Sequence, residues 1–151
     1  MYDKFLTFKL DLVKSEMISQ ANIAYRSACG LDVRLLRVLH CICDEPGITA
    51  TAVKSQALIE KTVLSKLLAE LIERRLIRRT IHPGDARRFE LWPTAAGKRA
   101  REDSKDLGMK LEEEMLSSLS SREREQLHRI ADKLVEAFRR STAAESAKSS
   151  G

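Results

Sequence analysis

Residues 60–92 read EKTVLSKLLAELIERRLIRRTIHPGDARRFELW, and the hydrophobic period changes halfway along this stretch. Over 61–74 the apolar residues recur every three or four positions, which predicts a helix with one buried face. From residue 77 the apolar residues alternate with polar ones, and the turn-forming residues of 82–87 separate two such runs. The pattern predicts a two-stranded ribbon over 77–81 and 88–92.

The sequence before residue 60 predicts three further helices, over about 4–27, 31–43 and 50–57. Asp44-Glu45-Pro46-Gly47 ends the second of them, because the residue before a proline is pushed out of the helical region. Thr49 is placed to cap the third helix, and a three-residue corner separates that helix from the next. A helix pair with such a corner, followed by an arginine-rich ribbon, is the layout of a winged helix-turn-helix.

Two more helices are predicted after the ribbon. Pro93 and Thr94 open a helix that runs to about residue 117, and Ser120 with Glu123 offers a capping box for the last helix. The expected fold class is mainly α (α+β), in one structural domain. Its expected regions are an N-terminal dimerisation helix (1–30), the winged helix-turn-helix (31–93), C-terminal dimerisation helices (94–140) and a disordered tail (141–151).

Positive charge is concentrated in the middle of the chain. The formal net charge is +5, but residues 60–101 contain 11 Lys/Arg and 5 Asp/Glu, so this stretch alone carries +6. Such a localised excess is the footprint of a polyanion-binding protein, with a solvated basic face as the simpler alternative. We expect no membrane span and no signal peptide, and the three cysteines favour reduced thiols in a cytoplasmic protein.

The helix that begins near residue 61 supplies the expected DNA contacts. The N-terminal residues of the second helix in such a pair point at base edges in the major groove. Here they carry ammonium and hydroxyl groups, and the candidates are Lys61, Thr62, Ser65 and Lys66, with Thr49 as a further contact. Arg87 is placed to enter the minor groove, and Arg88 could do so or turn sideways. Asp85 is expected to orient an arginine, because a carboxylate beside phosphate is repelled.

Residues 31–101 resemble the MarR family of bacterial transcription regulators. The resemblance rests on several motifs taken together: Pro46-Gly47-Ile48-Thr49, Glu60 to Lys66, the run from Leu71 to Arg79, Asp85-Ala86-Arg87-Arg88 and Thr94-Ala95-Ala96-Gly97. Three positions depart from the family pattern. Leu58 and Arg75 stand where glycines are common, and Pro93 stands where leucine is usual.

The resemblance implies a homodimer held together by the terminal helices. Such a dimer would bind an inverted repeat of double-stranded DNA with half-sites roughly 10 bp apart. The resemblance also implies a repressor that responds to a small phenolic or aromatic effector bound between the dimerisation and DNA-binding regions. Neither a cofactor, a metal site nor an enzymatic activity is expected.

Two alternatives stay open at this stage. A thiol-based redox regulator of the same fold would use Cys29, which lies beside Arg26, although an unreactive buried thiol is the simpler interpretation. A winged-helix protein-interaction module would instead dock its basic face on an acidic partner. Salt-dependent binding to one inverted repeat distinguishes DNA binding from protein docking.

Overall fold

The computed structural model describes residues 4–150, which form six helices and a three-stranded sheet. In chain order the elements are α1 (Leu6–Cys29), α2 (Val33–Asp44), β1 (Ile48–Thr49), α3 (Ala50–Ala57), α4 (Lys61–Glu73), β2 (Ile77–His82), β3 (Asp85–Pro93), α5 (Ala95–Met115) and α6 (Ser121–Ser149). The predicted fold class is confirmed. Residues 1–3 and 151, at the ends of the predicted first helix region and tail, lie outside the described residues.

The chain divides into two compact units, residues 1–111 and residues 112–151. The first unit contains a hydrophobic core that joins α2, α3, α4 and the sheet. Its most deeply buried side chains include Leu39, Ile42, Val53, Leu71 and Ile77. Each large apolar side chain that is fully buried contributes about 1.5–3 kcal/mol, so this core holds the helix pair firmly against the sheet.

The sheet is antiparallel, with β3 between β1 and β2. β1 was not predicted, and it pairs Ile48 with Leu91. β2 and β3 pair from Ile77 opposite Pro93 to Ile81 opposite Phe89, after which the register shifts. Residues 86–88 are therefore extra residues on β3, and the connection between the strands is shorter than the predicted 82–87.

α6 corrects the predicted disordered tail, because the helix continues through residues 141–149. This segment reads STAAESAKS, with three alanines and neither proline nor glycine, so a helix begun upstream propagates through it at little cost. The predicted capping box at its start is confirmed. Ser120 Oγ accepts a hydrogen bond from the Glu123 N–H (3.1 Å), and the Glu123 carboxylate accepts one from the Ser120 N–H (3.0 Å).

Two helices carry large apolar side chains that are exposed in the isolated chain. On α1 these are Leu6, Phe8, Leu10, Leu12, Val13 and Ile23, and on α6 they are Leu127, Ile130, Leu134, Val135 and Phe138. None of the α6 side chains that the structure describes is buried. Even so, the helices within residues 4–150 lack the combination of length and apolar character that crossing a bilayer requires.

Candidate nucleic-acid interface

The exposed face of α4 includes the four residues of this helix that the sequence predicts to contact DNA. Leu64, Leu67 and Leu71 are buried and attach the helix to the core. The opposite face exposes Lys61, Thr62, Ser65, Lys66, Ala69 and Glu73. Residues three or four apart share a helix face, so the four predicted contacts form one patch in the first two turns of the helix. We call Lys61, Thr62, Ser65 and Lys66 the α4 patch.

The N-terminus of α4 has no side-chain cap. Glu60 occupies the N-cap position in an extended conformation, but its carboxylate accepts no hydrogen bond from the first turn. The first-turn N–H groups therefore keep their bonding capacity and the positive end of the helix dipole. Together with Lys61, they suit a phosphate group. The Ser65 hydroxyl donates to the Lys61 carbonyl oxygen (3.1 Å), so towards a ligand it presents acceptor lone pairs.

Thr49 lies at the start of α3 and has a structural role there. Its side-chain oxygen accepts a hydrogen bond from the Ala52 N–H (3.4 Å), and its backbone pairs with Glu90 in the sheet. The side chain is half-buried. The predicted capping role is therefore confirmed, whereas contact between Thr49 and DNA stays a prediction.

The tip of the wing, residues 82–88, is exposed apart from the half-buried His82. The Gly84 N–H donates to His82 Nδ1 (3.0 Å), and the Arg87 N–H donates to Asp85 Oδ1 (2.9 Å). Asp85 thus orients the backbone of Arg87, whereas the sequence suggested only that it orients an arginine. Arg87 and Arg88 follow the tight turn in the part of β3 where the register shifts, and both are exposed.

The wing also carries two arginine–aromatic pairs that the sequence analysis did not find. The Arg79 guanidinium carbon lies 4.8 Å from the centroid of the Phe89 ring, and that of Arg78 lies 5.4 Å from the Trp92 ring. Strand alternation places the two pairs on opposite faces of the ribbon. The strand register would have revealed them, but a sequence does not specify register when the turn length is uncertain.

Thr94 and Gly97 explain why the Thr-x-x-Gly motif follows the wing. The Thr94 N–H donates to the Leu76 carbonyl oxygen (3.0 Å), and Thr94 Oγ1 accepts from the Gly97 N–H (3.0 Å), which caps α5. A Cβ at Gly97 would lie 2.0 Å from the Leu76 carbonyl oxygen. Glycine at this position therefore allows α5 to begin directly against the base of β2.

The three cysteines are half-buried. The Cys29 thiol donates to the Tyr25 carbonyl oxygen (3.2 Å), while the neighbouring Arg26 guanidinium lies 3.8 Å from an Asp32 carboxylate oxygen. Burial raises the pKa of the Cys41 and Cys43 thiols, which opposes formation of the reactive thiolate. Within residues 4–150, no three His, Cys, Asp or Glu side chains are grouped so that they could hold a metal ion.

A groove of about 720 Å³ lies between α1, α2 and the corner that precedes α4. Its charged lining consists of four basic side chains, Lys14, Arg26, Arg34 and Arg37, and three acidic ones, Asp11, Asp32 and Glu60. Leu58, Ile59 and Val63 add apolar surface at the corner. The groove therefore has groups for both an anionic and an apolar part of a small molecule, and it reaches the N-cap of α4.

Comparison with known proteins assigns the chain to a family. A sequence model described as MarR family matches residues 30–88. Transcriptional regulator HosA from Escherichia coli O111:H- is 34% identical over 100 residues, which cover 66% of this chain and 74% of that protein. The structure of a mutant MarR from E. coli complexed with operator DNA has a TM-score of 0.76 at 22% identity, over 85% of this chain and 92% of that chain. The PcaV transcriptional regulator from Streptomyces coelicolor, in complex with its natural ligand, has a TM-score of 0.75 at 15% identity, over 91% of this chain and 96% of that chain. The chain belongs to the MarR family of transcriptional regulators.

Proposed function

We propose that this regulator binds a specific inverted repeat in double-stranded DNA as a homodimer. The observation that carries the proposal is the α4 patch, which is exposed beside an uncapped helix N-terminus while the other face of α4 is buried in the core. A helix with this arrangement fits the major groove, where lysines and hydroxyls bind base edges and phosphates. The operator DNA bound to the related MarR structure supports this function.

The wing and the start of α3 extend the proposed contact surface. Arg87 enters the minor groove, where a narrow groove attracts arginine, and Arg88 contacts the groove or an adjoining phosphate. Asp85 sets the backbone conformation that presents Arg87. Thr49 lies at the N-terminus of α3, where its hydroxyl can donate to a phosphate while it accepts the capping hydrogen bond.

The terminal helices are proposed to form the dimer, with residues 1–30 and 94–140 on the dimer side and 31–93 on the DNA side. The exposed apolar side chains of α1 and α6 are the supporting observation. Soluble proteins rarely leave large contiguous apolar patches exposed, and such patches mark interfaces. A two-fold symmetric dimer then requires an inverted repeat with half-site centres about 10 bp, one helical turn, apart.

We further propose that the protein is a cytoplasmic repressor that releases DNA when a small phenolic or aromatic carboxylate binds. The groove between α1, α2 and the corner is the proposed effector site, because it offers basic side chains for a carboxylate and apolar ones for a ring. The natural ligand in the related PcaV structure supports an effector of some kind. The effector must bind the geometry that does not fit DNA more tightly, since equal affinity for both states shifts nothing. The proposed activity needs neither a catalytic step nor a cofactor.

The test begins with a duplex that the purified protein selects from random oligonucleotides, labelled for fluorescence anisotropy. Arg87→Ala should weaken binding by about 1–3 kcal/mol and reduce the salt slope by about 1. Lys66→Ala should weaken binding while sedimentation shows an intact dimer. Lys110→Ala, which removes an exposed lysine on α5, is the matched control and should leave the affinity close to that of the wild type.

Several outcomes would contradict the proposal. If no duplex is enriched although the protein is dimeric, the protein-docking alternative gains support. If Lys66→Ala abolishes the dimer, α4 does not have the role assigned to it. If Arg87→Ala and Lys110→Ala have the same affinity and salt slope, the wing does not contact DNA.

A further inference from the structure

We propose that Arg79 is an additional phosphate contact and that Phe89 is its positioning residue. The inference rests on the proposed DNA-binding function and extends the contact surface beyond the wing tip. It concerns the shaft of the wing, which we define as residues 78–81 of β2 and 89–92 of β3. The inference is based on the contact between the guanidinium of Arg79 and the exposed aromatic ring of Phe89.

Arg79 differs from several other arginines of the chain in having no acidic partner among the described residues. Arg26, Arg74 and Arg101 each lie within 4.0 Å of a carboxylate oxygen. In contrast, the described residues place no carboxylate within that distance of the Arg79 guanidinium, and the side chain is exposed. An arginine neutralised by a carboxylate gains little from a phosphate, whereas one held by a neutral ring keeps its whole attraction.

The stack on Phe89 leaves the hydrogen-bonding edges of the guanidinium available. The ring centroid lies 4.8 Å from the guanidinium carbon, and among the described residues no hydrogen-bond acceptor is paired with the five N–H donors of Arg79. Phosphate oxygens bind along those edges, often through two parallel hydrogen bonds. The stack therefore limits the motion of a long side chain without using the donors that a phosphate needs.

The position of Arg79 along the wing matches the sugar–phosphate backbone. Arg79 and Pro83, at the turn, are four positions apart, which corresponds to about 13 Å of extended strand. The minor groove is about 7.5 Å deep, so with the wing tip on the groove floor Arg79 lies just outside the groove. An arginine side chain at this height can reach a phosphate at the rim of the groove.

The face of the shaft that carries Arg79 is free of acidic side chains. Its cross-strand pairs are Arg79 with the buried Leu91 and Ile81 with Phe89, so the side chains that it exposes are those of Arg79, Ile81 and Phe89. The opposite face carries Glu90, whose carboxylate lies 4.0 Å from the ring of His82. The exposed part of this face can therefore approach a phosphate without the repulsion that a nearby carboxylate would add.

Phe89 is suitable for substitution because it is not part of the core. The side chain is 40% exposed and lies outside the buried cluster. Trp92, beneath Arg78, is different: its Nε1–H donates to Thr80 Oγ1 (2.9 Å), and its ring lies against Gly47. A change at Trp92 would disturb the sheet, so the test uses Phe89.

The experiment measures Kd by anisotropy across a salt series, with the duplex that the wild-type protein selects. We expect Arg79→Ala to weaken binding about fivefold near 0.15 M salt and to lower the slope of log Kobs against log salt by about 0.9, the value for one phosphate. Phe89→Leu should weaken binding about two- to fivefold. Phe89→Tyr, which keeps the aromatic ring, should bind as the wild type does. Combined with Arg79→Ala, Phe89→Leu should have no further effect. Lys148→Ala, at the end of α6 and outside the proposed DNA-binding and dimer regions, is the charge-matched control.

Two results would overturn the inference. One is a salt slope for Arg79→Ala equal to that of Lys148→Ala. The other is an equal loss of DNA affinity from Phe89→Leu in the wild-type and in the Arg79→Ala backgrounds. A ring that merely supports the ribbon would act independently of the arginine. If the wild type binds no duplex, the proposed function itself fails. If Lys66→Ala weakens binding and Arg79→Ala does not, only the present inference fails.

Discussion

The contact between Gly97 and the Leu76 carbonyl allows a sharp test of how α5 is attached to the wing. An alanine Cβ at position 97 would lie 2.0 Å from that oxygen, about 1.4 Å closer than the 3.4 Å at which ordinary van der Waals contact begins. The carbonyl cannot turn aside without loss, because it accepts a hydrogen bond from the Thr94 N–H (3.0 Å). The Leu39 side chain lies 3.4 Å from the same Cβ position, so the first turn of α5 must move away from β2.

The expected cost follows from three contributions. Overpacking of a tight site costs about 1–3 kcal/mol. Weakening the Thr94–Leu76 hydrogen bond adds about 0.5–1.5 kcal/mol. Alanine is favoured over glycine within a helix by at most about 1 kcal/mol, which offsets part of the loss. We therefore expect Gly97→Ala to lower the free energy of unfolding by about 1–3 kcal/mol.

Urea unfolding at one fixed protein concentration measures this change, with the fluorescence of the single tryptophan, Trp92, as the probe. Gly84→Ala is the matched control, since its Cβ would meet only the His82 ring at 3.5 Å. That variant should stay within about 0.5 kcal/mol of the wild type. If Gly97→Ala were as stable as Gly84→Ala, or more so, the close contact would not be real and the explanation of the Thr-x-x-Gly motif would fail.

Three further changes test other parts of the structure. Leu58 has a left-handed backbone and a side chain 85% exposed, so Leu58→Gly should relieve backbone strain and raise the free energy of unfolding by about 1 kcal/mol. Leu58→Ala keeps that strain, and if it were as stable as Leu58→Gly, the strain argument would be contradicted. Ser120→Ala removes the cap of α6 and should lower the free energy of unfolding by about 0.5–2 kcal/mol, measured by a urea titration followed by circular dichroism. Ser120→Asp, which can still cap the helix, should retain most of the stability. If both variants lost the same stability, the result would argue against capping. Burial, and then the nearby Arg101, lowers the pKa of His40, so the unfolded chain takes up the proton first and stability should fall as the pH drops below about 6.5. His40→Gln should reduce that fall in thermal melts, and a pH dependence identical to that of the wild type would exclude His40 as its source.

The helices were predictable because their hydrophobic periods are strong. The sequence predicted a helix over 50–57, which is α3, and a helix over about 61–74, which corresponds to α4 (Lys61–Glu73). In α4 the same period that buries Leu64, Leu67 and Leu71 also requires the residues between them to face solvent. Exposure of the α4 patch therefore follows from the sequence alone, although the partner that it binds does not.

The elements that the sequence did not predict depend on distant pairing. β1 has two residues, too few for an alternating pattern, and exists because Ile48 pairs with Leu91 some forty positions later. The register shift that adds residues 86–88 to β3 is likewise a property of two strands together. The helix at 141–149 differs from its prediction for another reason: its polar composition is typical of a disordered segment, but its helix propensity and the absence of a helix breaker allow α6 to continue.

Roles that depend on hydrogen bonds or stacking also require coordinates. Asp85 was expected to orient an arginine, but only the structure shows that its partner is the backbone N–H of Arg87. The Arg79–Phe89 stack joins residues ten positions apart, and a register shifted by one residue would place them on opposite faces. A sequence identifies which residue types are present on a wing, whereas the pairing decides which of them act together.

Leu58 and Arg75 show why departures from a family pattern need not change a fold. The described residues include two non-glycine residues with positive φ, and they are these two, at 55° and 58°. A left-handed conformation costs a residue with a side chain about 1–2 kcal/mol, so the local sequence does not favour it. At Arg75 the surrounding hydrogen bonds favour this conformation. The Arg75 N–H donates to the Ile72 carbonyl (2.9 Å), and the Arg75 carbonyl lies 2.7 Å from the Thr94 hydroxyl, which can donate to it. The glycines usual at these positions therefore reflect a required conformation, and the packed elements on either side can impose that conformation on another residue at a cost in stability.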